Sequence, residues 1–325
     1  MPNSAPSSAP CSSRCAWVDA ARVLAIVIVA SSHQYLGGFG LCASGYCTGA
    51  AVALFFFLAG YFSKSTEVAT CLKRTLAIFI CYLFWATLDL CFAWHSFDIP
   101  LGVFWRNIWE NSGVYWFLRH LCFASLVGIV FARMPRAMQL GVLIALFYYG
   151  STYQPPCIIR HPFLIFPLSL SAFLCGVGSC EITLPRLGRL ALPVPEKALP
   201  FAFALLLAFI GLAMVASLAK WPCQAPILLS ILIAWGLLAL CVAAGSTLPR
   251  CCAAAAAAGP AVVLFYVLHH PAIHAYTGVW VRLSGDYPPL WFDVLFLAAA
   301  MIACTWLTRK LKAKKRIVDI ILFAR

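Results

Sequence analysis

The chain has 325 residues, of which 63% are hydrophobic and 10% charged, with a formal net charge of +13 and a mean hydropathy of +0.93. A soluble domain carries about 25% charged residues, and a chain of this size cannot hide so much apolar surface in its own core. A cytosolic enzyme, a secreted disulfide mini-domain and a disordered tail protein are therefore excluded, and the class is a polytopic membrane protein.

In chain order, residues 1–16 are rich in Ser, Pro and Ala and lack the apolar core of a cleavable signal peptide. They read as a short disordered tail. A spanning helix needs about 20 mostly apolar residues, and ten such segments follow: 17–36, 48–63, 75–94, 114–132, 138–152, 162–180, 199–217, 226–245, 259–277 and 290–308. Breakers lie between them, among them Gly37-Gly38, Pro155-Pro156, Pro222 and Pro288-Pro289. The low-complexity run Cys251 to Ala258 either extends the ninth helix or forms a loop. No internal repeat is apparent, so an inverted-repeat transporter has no support. The predicted fold is all-α, a bundle of about ten transmembrane helices over 17–308 with a basic tail over 309–325.

Lys and Arg cluster in alternate linkers. With the N-terminus inside, eighteen of the 23 fall on the inner side, and only Arg106, Arg119, Arg160, Lys220 and Arg282 fall outside. This is the positive-inside bias, and it predicts that both termini are cytoplasmic. The same placement argues against nucleic acid as a partner. The tail from Arg309 to Arg316 is either a plain topology anchor or a contact for anionic lipid. Most of the 16 Cys lie within apolar runs and read as small hydrophobes. Cys42 and Cys47 could form a disulfide if their loop faces an oxidising compartment.

Ionisable side chains inside spans are costly and face a cavity or the bundle interior. The first span carries Asp19, Arg22 and His33. Arg22 and His33 are eleven residues apart, which is only about 20° around a helix and about 16 Å along it. One face thus presents a cation near the inner boundary and an imidazole near the outer one. Asp19, three residues before Arg22, is placed to pair with it. Taken singly, Arg22 also reads as a snorkelling boundary residue and His33 as a hydrogen-bonded helix-end histidine. All seven histidines (His33, His95, His120, His161, His269, His270 and His274) fall in the outer half or the outer loops. Imidazole is the usual general acid–base group. The fourth span opens Tyr115-Trp116-Phe117-Leu118-Arg119-His120, and the ninth carries Tyr266, His269, His270 and His274. His270 and His274 have the i, i+4 spacing of a metal pair, but two ligands do not make a site and no acidic partner follows, so no metal is predicted and the pattern reads as a His/Tyr/Arg hydrogen-bonding cluster. Asp89 and Asp293, toward the outer ends of their helices, either orient a histidine or have no role. No P-loop, GxGxxG, GxSxG or HExxH motif occurs.

Several of these segments share a resemblance. Trp17-Val18-Asp19-Ala20-Ala21-Arg22, followed by an apolar stretch ending in His33, resembles the opening helix of the acyltransferase-3 family of membrane acyltransferases, with the same ten residues between Arg and His. Phe55-Phe56-Phe57-Leu58-Ala59-Gly60-Tyr61 is similar to that family's Phe-Phe-x-x-Ser-Gly-Tyr. Leu72-Lys73-Arg74 resembles its basic motif before the third span, Trp116-Phe117-Leu118 its Trp-Phe-Leu, and Tyr266-Val267-Leu268-His269-His270-Pro271 its late Tyr-x-x-His-x-Pro. The chain departs from the pattern at Ala59, where the family has Ser. It also lacks a second Arg near Leu76 or Ala77 and a Pro within 78–81.

The resemblance implies a multi-pass enzyme of the cell membrane with no bound cofactor. It would move an acyl group, usually acetyl, from cytoplasmic acyl-CoA to a hydroxyl of a surface glycan or lipid-linked sugar. His33 would be the general base or acyl relay, supported by Arg22 and Asp19, with Arg22 lining the route or holding a CoA phosphate. Lys73 and Arg74 would attract the polyanionic CoA. Trp116, Arg119, His120, Tyr266 and His269 would shape the substrate cavity. The competing readings are a transporter or flippase using the same polar cavity, and a non-catalytic membrane partner or sensor.

Overall fold

The computed structural model describes residues 16–33, 40–61, 68–94, 100–110, 115–152, 169–177, 198–218 and 224–311. All regular structure among them is helical. The chain runs through α1 (Ala16–Ser32), α2 (Gly40–Tyr61), α3 (Val68–Trp94), α4 (Leu101–Glu110), α5 (Trp116–Phe131) and α6 (Arg136–Thr152). A helix over 169–177, α7, follows. The remainder is α8 (Ala198–Leu218), α9 (Gln224–Thr247), α10 (Pro249–Ala258), a 3-10 turn (Gly259–Ala261), α11 (Val262–Ser284) and α12 (Leu290–Leu311).

Each of the ten apolar segments overlaps one of these helices. Among the described residues, three helical stretches are long and apolar enough to cross a membrane: Val68–Cys91, Pro249–Ser284 and Trp291–Leu311. The alanine run is helical. Pro249 starts α10 at its first turn, where its missing N–H is no loss, and the 3-10 turn passes the chain into α11. The basic tail beyond Leu311 lies outside the described residues, as do residues 1–15. The pairing of Cys42 with Cys47 does not hold. Both positions lie on α2, where five residues put the Cα atoms about 9 Å apart, too far for a disulfide, and Cys47 is a free thiol.

Helix α1 is the axis of the bundle, packed by α2, α9, α10, α11 and α12. Its buried face includes Ala21, Ala25 and Ala30, all fully buried. Small side chains let helices approach closely where lipid supplies no hydrophobic drive. The tightest crossing is between α2 and α7. A Cβ on Gly60 would stand 2.0 Å from the Phe173 carbonyl oxygen, and one on Gly176 2.1 Å from that of Phe57. Glycine is required there for contact and not for its backbone freedom.

The short helix α4 lies between two of the predicted spans, its ten residues too few to cross a membrane. One carbonyl pins it. The Tyr82 hydroxyl of α3 donates to the Ile108 carbonyl, and Arg119 of α5 donates Nη1 to the same oxygen at 3.2 Å. Arg119 is 1% exposed and also hydrogen-bonds Tyr82. It joins three helices from within.

Two outcomes follow from this packing. Gly60→Ala should lower the stability of the detergent-solubilised protein by about 1–3 kcal/mol, the usual range for an overpacked contact. Gly141→Ala, which would meet nothing within 4 Å, should leave it unchanged; equal melting temperatures for the two would contradict the close crossing. Arg119→Met should destabilise by about 1–3 kcal/mol, because it strips a buried carbonyl of a donor. It should also make α4 the first segment cut by protease, and resistance of α4 in that variant would show that the clamp lies elsewhere.

Candidate active site

The C-terminal end of α1 meets α11 at a group of histidines. The imidazole of His33 lies 5.3 Å, centroid to centroid, from that of His269 and 5.8 Å from that of His270. The His270 and His274 rings are 4.3 Å apart, with their Nε2 atoms at 3.0 Å. Among the described residues, no group of three or more His, Cys, Asp or Glu is arranged to hold a metal ion.

His33 is exposed and directly follows the last residue of α1, its N–H closing a tight turn on the Ala30 carbonyl at 3.1 Å. The two serines before it turn their hydroxyls back onto their own helix, Ser31 to Val27 at 2.8 Å and Ser32 to Val29 at 2.7 Å. That is the usual behaviour of Ser within a helix, and it leaves His33 as the group that faces α11.

His269 is held very differently. It is 2% exposed and stacks parallel to Phe265, while Nδ1 lies 2.5 Å from the Tyr266 carbonyl. A carbonyl only accepts, so Nδ1 carries the proton and Nε2 presents a bare lone pair. That Nε2 is buried with no hydrogen-bond partner. A buried acceptor without a donor is unfavourable by about 1–3 kcal/mol, which makes it a place to receive a hydroxyl or N–H from a ligand.

Proline explains how α11 is fixed. Pro271 lies inside α11 and has no N–H, so it cannot bond the carbonyl of Val267 four residues earlier. The Tyr115 hydroxyl, at the N-cap of α5, donates to that carbonyl at 3.2 Å. In return the Tyr266 hydroxyl of α11 accepts from the backbone N–H of Phe117, one of the first-turn amides that an α-helix cannot satisfy itself. Each helix thus lends a tyrosine to a backbone group of the other. Asp89 of α3 lies within electrostatic reach of both His274 and Tyr115. Asp293 of α12 accepts a hydrogen bond from Tyr276.

The residues singled out in the sequence divide into three places. His33, His269 and Tyr266 come together, with Tyr266 5.8 Å from His269. Trp116 and His120 form a second pair on α5, their rings 5.2 Å apart. His120 is 1% exposed, and Phe117 stands between this pair and Tyr266, 5.4 Å from the latter. Arg119 is spent on the α3–α4 clamp. At the other end of α1, Asp19 and Arg22 form an ion pair at 3.5 Å. Asp19 is buried under the 3-10 turn, where a Cβ on Gly259 would stand 2.7 Å from it. Lys73 and Arg74 are exposed on the first turns of α3. Tyr115, His270 and His274 were not selected as site residues from the sequence. The i, i+4 spacing of the two histidines is the signal for them in the sequence, and it marks a hydrogen-bonding cluster without saying which group on another helix they meet.

The family model for acyltransferase-3, described as an acyltransferase domain, matches residues 16–309. No curated protein and no solved structure matches the chain. The matched stretch opens at the first residue of α1 and closes in the last turn of α12, taking in the histidine cluster and every described helix. The chain therefore belongs to the acyltransferase-3 family of membrane acyltransferases.

Proposed function

We propose that this protein carries an acyl group, acetyl first, from cytoplasmic acyl-CoA to a hydroxyl of a glycan or lipid-linked sugar on the outer side of the cell membrane. The observation that carries this reading is the pairing of His33 with His269 at the end of α1, in a chain whose family is defined by acyl transfer. Both termini lie in the cytoplasm on this reading, which rests on the Lys and Arg distribution.

The chemistry is a nucleophilic substitution at a thioester. His33, exposed and neutral, takes the proton of the acceptor hydroxyl as its oxygen attacks the carbonyl carbon. The C–S bond breaks and the thiolate leaves with the electron pair, to be protonated as free CoA. The products are R–O–acyl and HS–CoA. The bare Nε2 of His269 accepts a hydrogen bond from a neighbouring hydroxyl of the sugar, and so orients the acceptor for attack. Tyr266 and Trp116 shape the acceptor side, with His120 behind Trp116. Arg119 contributes by holding α4 in place. At the inner end, Arg22, oriented by Asp19, and the exposed Lys73 and Arg74 meet the phosphates of CoA. Passing the acyl group through His33 as a covalent relay would use the same residues in two steps.

Sealed, oriented membrane vesicles test this. Labelled acetyl-CoA is supplied on the cytoplasmic face, and label is followed into glycan, with His33→Ala in parallel. The variant should lose about 100-fold or more in rate, the ordinary contribution of a general base, while its melting temperature stays that of the wild type. Transfer at the wild-type rate by His33→Ala would remove His33 from the mechanism. No incorporation by the wild type from a broad panel of donors and acceptors, together with no CoA binding, would overturn acyl transfer itself.

A further inference from the structure

We propose that the acceptor is a pair of adjacent hydroxyls on one sugar ring, and that the enzyme esterifies one of the pair and refuses the other. The inference rests on the acyl-transfer reading above and narrows its acceptor to a vicinal diol, modified once.

His269 sets the first requirement. Its Nδ1–H is held by the Tyr266 carbonyl, so Nε2 can only accept, and that nitrogen is buried with no hydrogen-bond partner. A ligand standing against it must supply a donor. An ether or ester oxygen has none to give and would leave Nε2 unpaired. Space sets the second requirement. Four aromatic rings stand around His269, with centroids at 5.3 Å for His33, 5.8 Å for Tyr266, 6.2 Å for Phe265 and 6.4 Å for His270. A hydroxyl is the donor small enough for that setting, whereas an acetamido N–H brings its acyl group with it.

Distance sets the third. Adjacent hydroxyls of a sugar ring, when gauche, are splayed by about 60°. Each reaches its acceptor over about 2.8 Å, which puts the two acceptors about 5–6 Å apart. Equatorial hydroxyls on alternate carbons splay about twice as far, and their acceptors stand about 9–10 Å apart. A ring nitrogen lies close to its own centroid, so imidazoles 5.3 Å apart suit the first spacing and not the second. His33 is exposed and His269 buried, so the edge of the sugar enters past His33 with one hydroxyl for each ring.

The covalent step is the one given above. One bond forms between the hydroxyl oxygen and the acyl carbon, the C–S bond breaks, and the hydroxyl proton ends on CoA. The product carries an ester beside its remaining hydroxyl. Presented to His33 again, that hydroxyl would set the ester against Nε2 of His269, with no donor and with an acyl group to fit among four rings. The second hydroxyl therefore stays free.

The oriented vesicles test this with the glycan of the membranes as acceptor. Transfer is run to exhaustion and the acetyl groups on each sugar are counted by mass spectrometry. Separately, half of the extracted glycan is oxidised with periodate, which cleaves the bond between adjacent hydroxyl-bearing carbons, then reduced with borohydride, and both halves are supplied to the outer face. Wild type should leave one acetyl per adjacent pair and should transfer to oxidised glycan about 100-fold more slowly or worse, since a site built to bind a hydroxyl rejects an acceptor lacking it. His269→Phe, which keeps an aromatic ring beside Phe265 but has no acceptor atom, should transfer slowly to both halves with the difference between them reduced to a few-fold. His269→Gln, whose amide oxygen accepts, should restore part of that difference. Adjacent diesters at exhaustion overturn the proposal. So does equal transfer to the two halves by wild type, and label mapped beside an acetamido group in oxidised glycan assigns the second contact to an N–H instead. Wild-type discrimination in His269→Phe removes His269 as its source. If that variant does not fold, the two wild-type measurements decide alone. Any of these failures with transfer intact leaves acyl transfer standing, whereas absence of transfer in the wild type removes both.

Discussion

A single freed carbonyl organises this site. A backbone group without a partner in the apolar layer is unfavourable by several kcal/mol, and Pro271 creates one at Val267. The fold answers with Tyr115, and Tyr266 returns the favour at the open amides of α5. The two bonds are reciprocal, so α5 and α11 cannot slide past one another without breaking both. His269 and His270 sit directly before the proline. Their direction toward α1 is therefore set by the same contacts that satisfy the backbone, and site geometry and helix packing become one constraint.

That constraint acts through α1, which can serve as an axis because its buried face is nearly flat. Alanines there, glycines at the α2–α7 crossing and Gly259 over Asp19 all bring backbone or small side chains into direct contact. Close approach gives packing and leaves few gaps, and in lipid packing is the main attraction between helices. It also explains why a carboxylate can be buried in the first turn of α1. Asp19 is sealed by the 3-10 turn and neutralised by Arg22 in the adjacent turn, a geometry in which removing either partner leaves an uncompensated charge.

The sequence made some of this legible and hid the rest for definite reasons. Apolar runs separated by Gly and Pro announce helices, and each of the ten segments finds one. The Arg22–His33 spacing and the Tyr-x-x-His-His-Pro string announce the residues that the fold assembles, because ionisable groups in apolar runs stand out. Hydropathy cannot see α4, whose ten residues are too short for a span. It also cannot place the start of α2, where Gly40 to Gly49 are small and polar enough to read as a loop, the one setting in which Cys42 and Cys47 could pair. The alanine run was ambiguous because alanine is apolar enough for a helix yet offers no pattern to orient one. Arg119 and His120 read as cavity residues because an apolar helix has no polar face to say which side looks inward. His269 and His270 stand out in the sequence, but their neighbour at the end of α1 does not, since no periodicity links residue 33 to residues 269 and 270.

On the acyl-transfer reading proposed above, the two imidazoles at the centre differ in a way that suits the roles of base and acceptor. His269 has its tautomer fixed by a carbonyl of its own helix, its ring stacked on Phe265, and one lone pair directed into the protein. It can accept and do nothing else. His33 follows a helix whose last serines are already satisfied, and its ring lies against the imidazoles of His269 and His270 on α11. A base that must take a proton from one molecule and yield it to another gains from such a position, because a ring locked by a strong hydrogen bond on one nitrogen is committed to a single state. Preorganised acceptors orient substrate well, whereas a base that turns over has to be reset each cycle. The division of labour therefore follows from where each histidine sits relative to the end of its helix. The residue just past α1 keeps its freedom, and the residue buried within α11 loses it.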